Sequence, residues 1–234
     1  MKAVYKKEMR SYLTSPIGYV FVGIYLLLAG AVFCYSTLFS MTADTSTYFT
    51  VMMLLQAVLL PLLTMKSFSE ERKQRTEQLL MTAPVSITGF VLGKFLAALT
   101  LYGACTLFSS LYFLILFIYG QVKTAVLFGN IVAFLLVGMA FLAIGIFVSA
   151  LTENQLAAAV GSVGLILLFL CISLLNDLIN VYFIRFILSA LSIFSRFQGF
   201  TQGVFDFSAL FYYLSVCAVF LFLTVRVFDR RRYD

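Results

Sequence analysis

The chain has 234 residues, 62% of them hydrophobic and 11% charged, with a formal net charge of +6 and a mean hydropathy of +1.04. A soluble globular domain carries about a quarter charged residues, so this composition cannot cover a water-exposed fold and reads as an integral membrane protein. Histidine is absent, which excludes His-dependent triads, His metal sites and His proton relays, and the position of the basic residues favours membrane lipid over nucleic acid as a partner.

The N-terminal stretch MKAVYKKEMRSYLTSP has a helical period. Val4, Tyr5, Met9, Tyr12 and Leu13 fall on one face, and Lys6, Lys7 and Arg10 on another. This predicts an amphipathic interfacial helix ended near Pro16. A membrane-crossing helix needs about 20 mostly apolar residues. Six stretches qualify: 17–39, 47–65, 88–118, 125–151, 155–175 and 207–228. Lipid cannot satisfy backbone polar groups, so all six must be helical. The first follows sixteen amphipathic residues and reads as a retained span rather than a cleavable signal. Cys34, Cys105, Cys171 and Cys217 each sit alone in an apolar run, which is neither a disulfide framework nor a metal-ligand spacing.

Between the second and third spans lies SFSEERKQRTEQLLMTAPVS, residues 67–86. Ser69 is placed to cap a helix there, and Glu70 and Glu71 suit its N-terminus. Glu71 and Arg75 form an i,i+4 pair. Leu79, Leu80 and Met81 give an apolar end, and Pro84 stops the helix. A plain connection between helices needs two to eight residues, so this length suggests a docking surface. The third span opens with GFVLGKF, which superficially resembles a phosphate-binding loop. That loop needs four residues between its glycines and Ser or Thr after the lysine; here there are three, then Phe95. Gly89 and Gly93 suit helix packing instead.

Polar groups inside the spans are few: Gln56 in the second and Asn130 in the fourth. Gln56 is read as making an interhelical hydrogen bond. Before the sixth span, residues 176–206 are apolar but carry Arg185 and Arg196. A seventh span would bury Arg185 at roughly 2.5–3.5 kcal/mol. The stretch is expected to be a re-entrant outer hairpin, with Gly199 and Gly203 letting it turn or pack closely. With six spans, thirteen of the sixteen Lys and Arg fall on one side. By the positive-inside bias that side is cytoplasmic and holds both termini. The expected fold is an all-α membrane protein forming one transmembrane domain over 1–234.

The run EERKQRTEQLLMTAPVSITGFVLGKFLA resembles the loop between spans two and three in permease subunits of type-2 ABC exporters. Glu70, Glu71, Arg72, Thr76, Glu77, Leu79, Leu80, Pro84, Gly93 and Lys94 occupy the matching places. Arg75 stands where the family often has glycine. The start KEMRSYLTSPIGYV is similar to the gliding-motility-type branch. The resemblance implies two permease chains, the same or related, meeting at a central pathway in the cell membrane. Separate cytoplasmic ABC ATPase subunits would bind ATP and Mg, and this chain would hold no cofactor or metal and have no catalytic residue. It also implies that residues 70–80, including Gln78, form a cytoplasmic coupling helix that docks on the ATPase. Two other classes stand beside this one. A self-sufficient channel or secondary transporter normally needs mid-membrane charges, which the spans lack. An intramembrane enzyme would need a His partner or clustered acids, and Glu70, Glu71 and Glu77 are interspersed with bases. The substrate is open among lipids, peptides, drugs and polysaccharide.

Overall fold

Six stretches of chain are long and apolar enough to cross a membrane, and among the described residues all regular structure is helical. The computed structural model describes residues 1–41, 44–73, 86–119, 124–178, 192–201 and 206–233. Helix α1 covers Lys2–Thr14 and α2 covers Pro16–Phe33, which runs on through a wider π-helical turn at Cys34–Phe39. Then come α3 (Ser46–Thr64), α4 (Ser69–Lys73), α5 (Ile87–Ser110), α6 (Phe113–Tyr119), α7 (Thr124–Leu151), α8 (Gln155–Leu178), α9 (Ile193–Thr201) and α10 (Phe207–Tyr233).

The boundaries follow local chemistry. Ser15 is extended, and Pro16 starts α2 at a position where its missing N–H costs nothing. Ser86 caps α5 by accepting a hydrogen bond from the Gly89 N–H. The second span continues through a turn at residues 65–68 into α4, so its apolar stretch and the start of the charged segment form one unit from Ser46 to Lys73. The third span departs from the expected single helix 88–118. It breaks at Leu111 and Tyr112 before α6. Just before the break, the Ser109 and Ser110 hydroxyls donate to the carbonyls of Thr106 and Leu107. Such back-bonds compete with the helical ladder, and the chain then closes i+3 bonds at Leu111 and Leu114.

Helix α7 is the hub. It packs against α3, α5, α8, α9 and α10. In α7 and in the second span 61% of the apolar stretch is buried, against 22% in α10 and 28% in the first span. Close approach to α7 depends on two glycines. A Cβ on Gly138 would lie 2.3 Å from the Tyr102 ring, and one on Gly145 would lie 2.2 Å from Thr64 Oγ1. Gln56 is fully buried, and Tyr102 donates to its Oε1 at 2.9 Å and to the Phe134 carbonyl at 2.8 Å. The interhelical bond expected of Gln56 is present, joining α3 to α5. Asn130 is also buried, with its Nδ2 3.5 Å from Thr45 Oγ1.

An even number of crossings brings α1, α4, the α7–α8 turn and the end of α10 to one end of the bundle. At the other end α9 packs against α3, α7, α8 and α10. Its Phe197 and Phe200 are buried, and Tyr213 donates to the Ile193 carbonyl at 2.8 Å. Arg196 lies over the Tyr212 ring and donates to Ser208 Oγ. Gly199 corrects the expectation made for it. It lies within α9 and a Cβ there would meet nothing within 4 Å, so it provides neither a turn nor a close approach. Arg185 and Gly203 lie outside the described residues.

Candidate functional site

The basic and acidic residues that the sequence spreads over three distant stretches converge at the end shared by α1, α4 and the start of α5. Lys94 lies near the beginning of α5, where the chain is otherwise apolar. Its side chain is only 2% exposed. An ammonium group has three donors, and all three are used. Nζ donates to Glu8 Oε1 at 2.9 Å, to Glu71 Oε2 at 3.1 Å and to the Ser67 carbonyl at 2.6 Å. The rings of Phe68 and Phe90 lie 5.1 and 5.4 Å away on the cation. A buried charge is tolerated when it is paired and fully hydrogen-bonded, and Lys94 meets both conditions.

Glu71 is the junction. One carboxylate oxygen accepts from Lys94 and the other from Lys7 Nζ at 3.3 Å. The first turn of the charged segment is thereby bound to α1 and to α5 together. Its neighbour Arg72 points the other way. Arg72 Nε is 2.9 Å from Glu153 Oε1, and NH1 donates to the Leu151 carbonyl at 2.9 Å, so α4 is also fastened to the α7–α8 turn. Ser149 of α7 secures the turn before α4. Its hydroxyl accepts from the N–H groups of Phe68 and Ser69 and donates to the Met65 carbonyl. Phe68, Phe90 and Phe228 form a ring cluster that joins this turn to α5 and α10, with the Phe68 and Phe228 centroids 4.8 Å apart. Arg231 donates to the Ala150 carbonyl at 2.8 Å.

Helix α1 contributes a face, and the face is rotated from the expected one. Val4, Tyr5, Glu8, Met9 and Tyr12 are half-buried, whereas Leu13 is 53% exposed. The inner face packs along α5 where glycine leaves room: a Cβ on Gly93 would lie 3.0 Å from the Val4 side chain. Tyr5 donates to Thr100 Oγ1 at 3.4 Å. Burial, assisted by the Glu8 charge, pushes the Tyr12 phenol well above the usual tyrosine range, so it stays a protonated donor. Lys6, Lys7 and Arg10 are on the exposed side, as their spacing predicts.

Of the residues singled out in the charged segment, Glu70, Glu71 and Arg72 are in or beside this cluster. Arg75, Thr76, Glu77, Gln78, Leu79 and Leu80 lie outside the described residues, and so does the expected Glu71–Arg75 pair. Ser69 does not cap as expected: its hydroxyl donates backwards to the Met65 carbonyl. Two participants escaped the sequence reading. Glu8 is the first counter-ion of Lys94, and Glu153 is the partner of Arg72. The available signal was Lys94 itself, eight residues into an apolar helix and in need of an anion. Among the described residues no cluster of three or more His, Cys, Asp or Glu is arranged to hold a metal.

Comparison with protein families matches residues 2–232 to the family described as ABC-2 family transporter protein. The chain belongs to that family. It is a multi-pass membrane protein of the ABC permease type, and the converging charges lie at one end of its six apolar helices. A comparison with curated proteins finds no match.

Proposed function

We propose that the chain is the permease subunit of an ABC exporter, forms its pathway as a dimer with a second permease chain, and is driven by separate cytoplasmic ATPase subunits. Those subunits bind ATP and Mg. The segment that begins at α4 and continues through Leu80 is the coupling element they dock on. The observation that carries this reading is the double attachment of Glu71 to Lys94 and Lys7. A push on the segment reaches α1 and α5 through Glu71 and α7 through Arg72 and Ser149, so three membrane-associated elements respond together. A free connecting loop has no need of such fastening.

The charged end faces the cytoplasm, in keeping with the positive-inside bias. The exposed Lys6, Lys7 and Arg10 lie at the headgroup level of that leaflet, where each basic residue contributes about 1 kcal/mol with anionic lipid. At the opposite end the stretch from α8 to α10 re-enters the membrane and returns; the nine residues of α9 are too few to cross it. The N-terminal pattern supports the gliding-motility-type branch. The test is uncoupling. Glu77→Ala or Leu80→Asp is expected to leave membrane insertion intact and to abolish both export and the stimulation of ATP hydrolysis by the permease. Full stimulation and export in either variant would contradict the assignment.

A further inference from the structure

Two cavities meet beside α1. One, of about 340 Å³, is lined by three lysines, Lys7, Lys66 and Lys94, and three carboxylates, Glu8, Glu70 and Glu71. The other, of about 330 Å³, is an apolar groove between α2 and α3, lined by Ile17, Val20, Ile24, Leu59, Leu62 and Met65 among others. Ile17 belongs to both. The charged cavity therefore lies next to a groove that runs along two membrane spans, with Ile17 as their common wall. At roughly 30 Å³ of liquid volume per water, the charged cavity has room for a headgroup rather than a lone solvent molecule.

The chemistry narrows the occupant. Lys94 has all three donors engaged, and Lys7 is bound to Glu71 by a single contact with its side chain 62% exposed. Lys66 is half-buried on the cavity wall and pairs with no described residue. A half-buried cation with no counter-ion among the described residues, beside a second lysine held by one contact, is a place for an anion. A free anion gives no reason for the adjoining groove. An uncharged lipid gives no reason for Lys66. We infer that this junction binds one glycerophospholipid, with its phosphate on Lys66 and Lys7 and an acyl chain lying along α2 and α3. The site shares Lys7 and Glu71 with the charged junction described above, but lipid binding there requires no ATPase and stands whether or not the docking reading holds.

The chain contains no tryptophan, so Val20→Trp puts a single fluorescent reporter in the groove. Phe222→Trp puts one on an exposed face of α10 as a control. The full-length protein in an uncharged, phosphate-free detergent is titrated with lipids brominated on the acyl chain. Brominated phosphatidylethanolamine or phosphatidylglycerol is expected to quench the Val20→Trp reporter saturably at about one lipid per chain. Brominated diacylglycerol should bind about tenfold more weakly, the effect of one charge-assisted hydrogen bond. Lys66→Gln should lose about that tenfold for the phospholipids, and Lys7→Gln, at a more exposed residue, about threefold. The Phe222→Trp reporter should show no such headgroup preference. Equal quenching of the groove reporter by diacylglycerol and phospholipid overturns the proposal, as does unchanged affinity in both lysine variants. Displacement of the phospholipid by millimolar inorganic phosphate also overturns it, by making the site one for a free anion.

Discussion

The charged end and the bundle interior solve the same problem in different ways. Both bury polar groups among apolar helices. At the charged end Lys94 is held by two carboxylates and a carbonyl, from α1 and from the turn and first residues of the charged segment. In the interior Gln56 meets Tyr102 through one hydrogen bond, and Gln56 Nε2 has no hydrogen-bond partner among the described residues. The first arrangement ties separate elements together with redundant charge. The second is a local pin whose strength comes from packing around it. The charged end thus links its elements through ion pairs, while the interior keeps its helices in register through shape.

The largest expected effect is at the charged end. Lys94→Met leaves Glu8 without its cation and Glu71 with Lys7 alone, which should destabilise the solubilised protein by about 3–5 kcal/mol. Adding Glu8→Gln and Glu71→Gln to Lys94→Met should recover much of that loss in thermal unfolding. No recovery would mean that Lys94 acts by packing and not by charge. In the interior the sensitive position is Gly138, since its missing Cβ is what admits the Tyr102 ring. Gly138→Ala should cost about 1–3 kcal/mol by overpacking, read in the same unfolding assay. A neutral result would show that the interior adjusts more readily than the account allows. The smallest effect is expected for Arg72→Gln. Glu153 is 63% exposed, and such pairs contribute about 0–1 kcal/mol. A loss as large as that of Lys94→Met would erase the distinction between the core of the cluster and its rim.

The sequence reading recovered the six spans because span length and freedom from charge follow directly from the thickness of the hydrocarbon layer. It recovered the α1–α2 break because Pro16 fixes it locally. It missed the break at Leu111 and Tyr112, which depends on how serine hydroxyls bond to the backbone in this one turn. It assigned Leu13 to the inner face of α1 and left Glu8 out, because hydrophobicity ranks a leucine above a glutamate. The buried ammonium of Lys94 reverses that ranking by supplying the charge that Glu8 needs. The Glu71–Arg75 pair expected within the charged segment lies outside the described residues, and Glu71 is held by Lys7 of α1 and Lys94 of α5. Ion pairs such as Lys7–Glu71 and Glu8–Lys94, whose members stand 64 and 86 positions apart, have no local signature.

The account's central claim is that the segment from α4 through Leu80 is where an ATPase subunit engages this chain. Its most direct test is a cysteine at Gln78, with the exposed native Cys34 and Cys171 replaced by serine, in membranes that also contain a co-expressed ABC ATPase from the same source. The account predicts co-purification of the two proteins and a cross-link from position 78 to the ATPase whose yield changes with nucleotide. Co-purification with no cross-link from position 78, or from its neighbours on the segment, would contradict it.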